Sequence, residues 1–135
     1  MTTHCGYCRC RSVTMHTKAE PGFTVFCHCD DCRRSTGAPV LASVAFPKNA
    51  VVWESKTTLA TYGDEKSWRL FCNACGSPVA QCHAEISDLI VFNTGFMEKP
   101  QVYAPRWHSF AVDQLPWLEM GDDLPRYPKT KVLNR

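Results

Sequence analysis

Three short clusters of cysteine contain the residues best suited to chemistry. They are Cys8-Arg9-Cys10, Cys27-His28-Cys29-Asp30-Asp31-Cys32 and Cys72-Asn73-Ala74-Cys75-Gly76, with Cys5 and Cys82 standing apart. The third cluster has the spacing of a zinc knuckle: two thiolates two residues apart chelate one ion when the chain turns between them. Tetrahedral zinc with Zn–S bonds of about 2.3 Å needs sulfurs roughly 3.8 Å apart, a geometry that turns supply and flat strands do not. Gly6 and Gly76 beside the first and third clusters are therefore read as turn residues. One knuckle gives two ligands, and Cys8 with Cys10 is the natural second pair for a closed four-cysteine site. Such a site would tie distant parts of the chain and contribute folding energy. Reduced, unligated core cysteine is the competing reading, and two pairs at chelating spacing weigh against it.

The central cluster places three cysteines within six residues. Cys27, Cys29 and Cys32 can take three positions on one zinc and leave the fourth open, the arrangement of catalytic rather than structural zinc. Three thiolates outweigh the metal charge, so the centre carries a net charge of about −1 and acidifies water poorly. It suits the binding of a further thiol as thiolate, ready to act as a nucleophile. A closed second structural site is the alternative, with Asp30, His28 or a distant residue as fourth ligand. His28 is otherwise a group that supports the ligands or faces solvent.

Composition limits what can carry these clusters. The chain has 135 residues, 44% hydrophobic and 21% charged, with a formal net charge of +2. One domain over residues 1–135 is expected, with a core from about 6 to 127 and a tail from 128 to 135. Nine cysteines form an odd set, which argues against a disulfide scaffold. The polar, thiol-rich start MTTHCGYCRC has no secretory signature, and a cytoplasmic location is expected. Ala38 to Phe46, the longest run of low polarity, is far too short to span a membrane and reads as a buried strand. A pI near 8.1 falls below the value of about 9 expected of a dedicated nucleic-acid binder. Arg126, Lys129, Lys131 and Arg135 make the last segment basic, and it is read as a solvated tail.

Strand patterning dominates. Ser12 to Lys18, Phe23 to Phe26, Pro39 to Phe46, Val51 to Trp53, Leu59 to Tyr62, Trp68 to Phe71 and Leu89 to Thr94 read as strands. One short helix is expected over Asp30 to Ser35, closed by Gly37. The fold class is mainly β.

The order GYCRC, CHCDDCRRSTGAP, FCNACGSPV, PRWHSF and PWLEMGDDLPRY resembles the glutathione-dependent formaldehyde-activating enzyme family, whose domain is shared with centromere protein V. The resemblance covers about Gly6 to Tyr127. It implies a β-tent fold with a zinc-ribbon element, a structural zinc on Cys8, Cys10, Cys72 and Cys75, and a second, catalytic-type zinc on Cys27, Cys29 and Cys32. It thus implies two zinc ions per chain, the second site being open to partial occupancy. His108 matches a histidine commonly found in the family, and an aromatic-flanked histidine in a strand more often has a structural role than an acid–base one. Two departures stand out: Arg11 occupies a position where the family usually has glycine, so its side chain must point outward, and Ser109 follows the matched histidine where a hydrophobic residue is usual. Cys82 is read as a core residue and Cys5 as a spare thiol near the first site.

The resemblance implies a carbon–sulfur lyase-type enzyme, adding glutathione to formaldehyde to give S-hydroxymethylglutathione or acting on a related thiol adduct. The expected partner is a small-molecule thiol such as glutathione. Arg33 and Arg34 are the first candidates for its carboxylates, with Arg69 and Arg106 behind them, because arginine binds carboxylates through two parallel hydrogen bonds. A non-catalytic zinc module for a protein or nucleic acid is the second reading, held back by the modest charge. A thiol redox enzyme is the third, weakened because cysteines that close a zinc site cannot cycle. No membrane partner is expected, nucleic acid is disfavoured, and a homodimer stays open.

Overall fold

The structure is a computed structural model that describes residues 2–130. Ten strands and one α-helix follow in order: β1 His4–Tyr7, β2 Thr14–Thr17, β3 Thr24–Cys27, α1 Asp30–Thr36, β4 Leu41–Pro47, β5 Val52–Ser55, β6 Leu59–Gly63, β7 Ser67–Cys72, β8 Pro78–His83, β9 Leu89–Asn93 and β10 His108–Ser109. Short 3-10 turns fill several connections. The mainly β class expected from the sequence is observed. Among the described residues no helix is long and apolar enough to cross a membrane. Lys131 and Arg135 of the basic tail lie outside the described residues.

The strands form two sheets, one ordered β1-β2-β5 and one ordered β10-β3-β4-β9-β8-β7-β6. All pairs are antiparallel except β10 with β3, which run parallel. Side chains alternate across a strand, so the large sheet has an even-numbered and an odd-numbered face. Val44, Phe46, Phe92, Ala80 and Leu70 form the even face and join Val13 and Met15 of the small sheet's side in one core. The Trp53 ring of β5 lies 5.8 Å from that of Phe92, which closes the two layers together. The odd face runs Val25, Ser43, then Val91, Gln81 and Arg69 across neighbouring strands. That face carries the cavity described below.

Several element limits differ from the sequence reading for local reasons. The strand expected from Ser12 begins at Thr14, because Arg11 N–H donates to Cys8 O and Cys8 N–H to Val13 O, making a tight turn. Arg11 adopts φ 64° in that turn. It therefore takes up the left-handed conformation that glycine would supply more easily, and its exposed guanidinium lies over the Tyr7 ring at 4.1 Å. The outward orientation expected of it is observed. Gly6 is not a turn residue. It sits inside β1, where an added Cβ would come within 2.5 Å of the Phe96 ring. Helix α1 ends as expected: Gly37 at φ 76° donates its N–H to Arg33 O.

Candidate metal centre

Cys8 and Cys10 lie in the β1–β2 turn, Cys72 closes β7, and Cys75 lies in the turn that follows. Their four sulfurs all fall within 4.8 Å of one another. Cys10 Sγ is 3.7 Å from Cys8 Sγ and 3.8 Å from Cys72 Sγ, close to the edge of a tetrahedral zinc site. Donors are already aimed at the sulfurs. Val13 N–H donates to Cys8 Sγ at 3.3 Å, and the Thr58 hydroxyl is 3.2 Å from Cys72 Sγ. The Ser77 hydroxyl, 3.1 Å from Cys75 Sγ, holds that thiol's pKa down at about 5. Gly76 at φ 78° makes the turn the sequence assigned to it, its N–H donating to Cys72 O.

The second cluster is built by a strand end and a helix start. Cys27 closes β3, Cys29 caps α1 by accepting Cys32 N–H at 3.2 Å, and Cys32 is buried in the first turn. The three sulfurs lie within 4.8 Å of one another, with Cys32 Sγ and Cys27 Sγ 3.4 Å apart. Hydrogen bonds from Cys27 and Cys32 pull the Cys29 thiol far below its ordinary value, while the bond to Cys29 pushes Cys27 up. Three crowded sulfurs competing for one negative charge are a donor set that a thiophilic divalent cation fits well, and zinc is such an ion.

Among the described residues no fourth metal-binding side chain joins this group. The two nearby candidates for closing it are otherwise engaged. Asp30 pairs with Arg34 at 2.9 Å. His28 alternates to the opposite side of the strand from Cys27, is fully buried, and its Nε2 lies 2.8 Å from His108 Nδ1. His108 Nε2 in turn sits 3.1 Å from both carboxylate oxygens of Asp122. His108 thus lies behind His28; the neighbouring Ser109 and Phe110, not His108, line the cavity.

That cavity, about 280 Å³, opens beside the three cysteines on the odd face of the large sheet. Of the four arginines named from the sequence, Arg69 alone lines it. Its side chain is buried, and Nη2 donates to Asp31 Oδ2 at 2.7 Å and to Cys32 Sγ at 3.4 Å. Arg33 donates to the carbonyl oxygens of His28 and Asp113, and Arg34 stands 80% exposed on the helix. Arg106 borders other cavities, beside Tyr103. Cys82 is a core residue, as expected, and Cys5 lies in a separate cavity with Glu98 and Lys99, in neither cluster. Sequence reasoning missed Asp31, Gln81 and His83 as cavity residues. The alternation of β8, on which Gln81 and His83 share a face, was the available signal.

The family model for the glutathione-dependent formaldehyde-activating enzyme matches residues 3–113. The crystal structure of a Rhodobacter sphaeroides protein, a structural-genomics target, superimposes with a TM-score of 0.58 at 18% identity. The match covers 91% of this chain and 99% of that one, and at this identity it speaks for the fold alone. None of the curated proteins matches.

Proposed function

The chain belongs to the glutathione-dependent formaldehyde-activating enzyme family, and on that premise we propose that it is a zinc-dependent carbon–sulfur lyase-type enzyme. It would join a small thiol such as glutathione to formaldehyde, or act on a related thiol adduct. One observation carries this reading: three cysteine sulfurs with no fourth protein ligand among the described residues stand beside a cavity of substrate size.

A zinc ion held by Cys27, Cys29 and Cys32 would supply an open position able to take a thiol as thiolate. The remaining steps fall to the protein's own groups. Arg69 donates to Cys32 Sγ and offsets part of the negative charge of the sulfur cluster. His83 lines the cavity, and burial lowers its pKa, so its imidazole is neutral and able to accept the thiol proton. As the S–C bond forms, the carbonyl π-bond breaks, and the same proton passes to the new hydroxyl oxygen. His108 acts indirectly, holding the His28 side chain by a hydrogen bond behind the strand end that carries Cys27 and Cys29. Arg34, exposed on α1, and Arg33 beside it are the groups that a peptide thiol's carboxylates would meet outside the cavity. Cys8, Cys10, Cys72 and Cys75 would hold the second, structural zinc. Reduced thiols throughout fit a cytoplasmic setting.

Thiols add to formaldehyde unaided, so the test is a rate at equilibrium. Magnetisation-exchange NMR on glutathione, formaldehyde and their adduct should show faster exchange with the zinc-loaded protein, and Cys32→Ser should remove the acceleration. Exchange no faster than in buffer would overturn the proposal.

A further inference from the structure

The cavity beside Cys27, Cys29 and Cys32 has an unusual balance of surface for a site meant to hold a peptide. Val25, Val91, Ile86, Phe23 and Phe110 give its wall a broad apolar stretch. Arg69 is the only Lys or Arg among the described lining residues, and Asp31 already takes it at 2.7 Å. His83 is kept uncharged by burial. Arg33 is committed to two carbonyl oxygens, and Arg34 lies out on the helix against Asp30. Ser43 on the floor is 1% exposed and its Oγ has no hydrogen-bond partner, and the other uncharged polar side chains of the lining besides His83 are Gln81, Ser109 and Thr130.

We propose that this cavity receives a small apolar group of the substrate, an aryl or branched-alkyl substituent on a thiol or thiol adduct. The charged body of a peptide thiol such as glutathione stays in solvent. The proposal rests on the reading that a thiol sulfur joins the three-cysteine site, and it names what that sulfur carries. Glutathione has two carboxylates and an ammonium group. Placed in this cavity, its carboxylates would be desolvated beside apolar walls and a sulfur cluster of net negative charge, with no unpaired cation to meet them among the described residues. An apolar group has no such penalty and gains from leaving water. Size agrees. A dry cavity of about 150 Å³ accepts benzene, whereas drug-sized ligands need roughly 300–1,000 Å³. At about 280 Å³ this one suits a ring with a short arm reaching the sulfur.

The test is calorimetric titration of the zinc-loaded protein with three thiols: 2-mercaptoethanol, phenylmethanethiol and glutathione, each affinity corrected for the thiol's own pKa. Phenylmethanethiol should bind at least ~10-fold tighter than 2-mercaptoethanol, with glutathione no tighter than 2-mercaptoethanol. Phe110→Ala should narrow the ratio between the first two to under ~3-fold with zinc content unchanged. Val91→Thr should act in the same direction, and Phe110→Ala, at a half-buried position, keeps the test alive if Val91→Thr fails to fold. Tightest binding by glutathione, or equal affinity for all three, would overturn the cavity assignment while leaving the open metal site standing. Failure of every thiol to bind would remove both.

Discussion

Proton positions along His28, His108 and Asp122 follow from the carboxylate outward. Asp122 can only accept, so His108 Nε2 carries the hydrogen, and in the neutral His108 ring Nδ1 accepts from His28 Nε2. His28 Nδ1 is then left as a buried lone pair, and it is indeed an atom without a partner. Burial, followed by the neighbouring His108, lowers the His28 pKa to about 4 and keeps that ring neutral. Burial raises the Asp122 carboxyl, but the Leu124 N–H and His108 outweigh it and hold the pKa below the ordinary 3.8. The ionised carboxylate therefore stabilises the fold at neutral pH, and this contribution fades as pH falls through about 4 towards the depressed value. Asp122→Asn should have a lower urea midpoint than the parent protein at pH 7, and the gap should narrow steadily as pH is lowered below about 4. Acid would also release any metal held by the thiolates of both proteins, which is why the difference is the readout. A gap that does not change with pH would contradict the assignment. The cysteines of this region were legible from spacing alone. The partner of His28 was not, because it lies 80 residues away and on the opposite face of the strand.

Elements place the cysteines by turning sharply at their ends. The β1–β2 turn needs Arg11 in a left-handed conformation, and β1 itself needs Gly6 because the Phe96 ring packs directly on it. A Cβ at residue 6 would also come within 3.3 Å of Met15 Sδ. Gly6→Ala should therefore destabilise the protein by about 1–3 kcal/mol in urea unfolding, as overpacking does. A change under ~0.5 kcal/mol, the usual surface effect, would show that Phe96 moves aside freely. Strand centres with β-branched and aromatic residues, such as Leu89–Asn93, were legible in the sequence, as was α1 between its capping residues. β1, β8 and β10 were not. β1 carries His4, Cys5 and Gly6, β8 follows the knuckle with no turn signal of its own but Pro78, and β10 is two residues recruited to an edge by β3. Tertiary pairing, not local propensity, makes these three strands.

The whole molecule divides its work between the faces of one large sheet. The even face makes the core with the small sheet, and the four-cysteine cluster ties that small sheet's first turn to the β7–β8 hairpin. The odd face carries the cavity, with the three-cysteine cluster at its edge. Spacing in the sequence separated four cysteines from three, and the fold keeps them as two groups. The apolar wall could not be read in advance, because Phe23, Val25, Ile86, Val91 and Phe110 are far apart in the chain and meet only through strand order. The central claim is that one cluster holds the fold and the other stays open to a thiol. It is tested most directly by counting zinc per chain, with circular dichroism, in the parent protein, Cys32→Ser and Cys75→Ser, each with and without added thiol. The account predicts two zinc in the parent and one in a folded Cys32→Ser. Cys75→Ser should fail to fold, and cobalt exchanged into the open site should change its absorption on thiol addition only where Cys32 is intact. A single zinc in the parent, or equal unfolding of both variants, would contradict it.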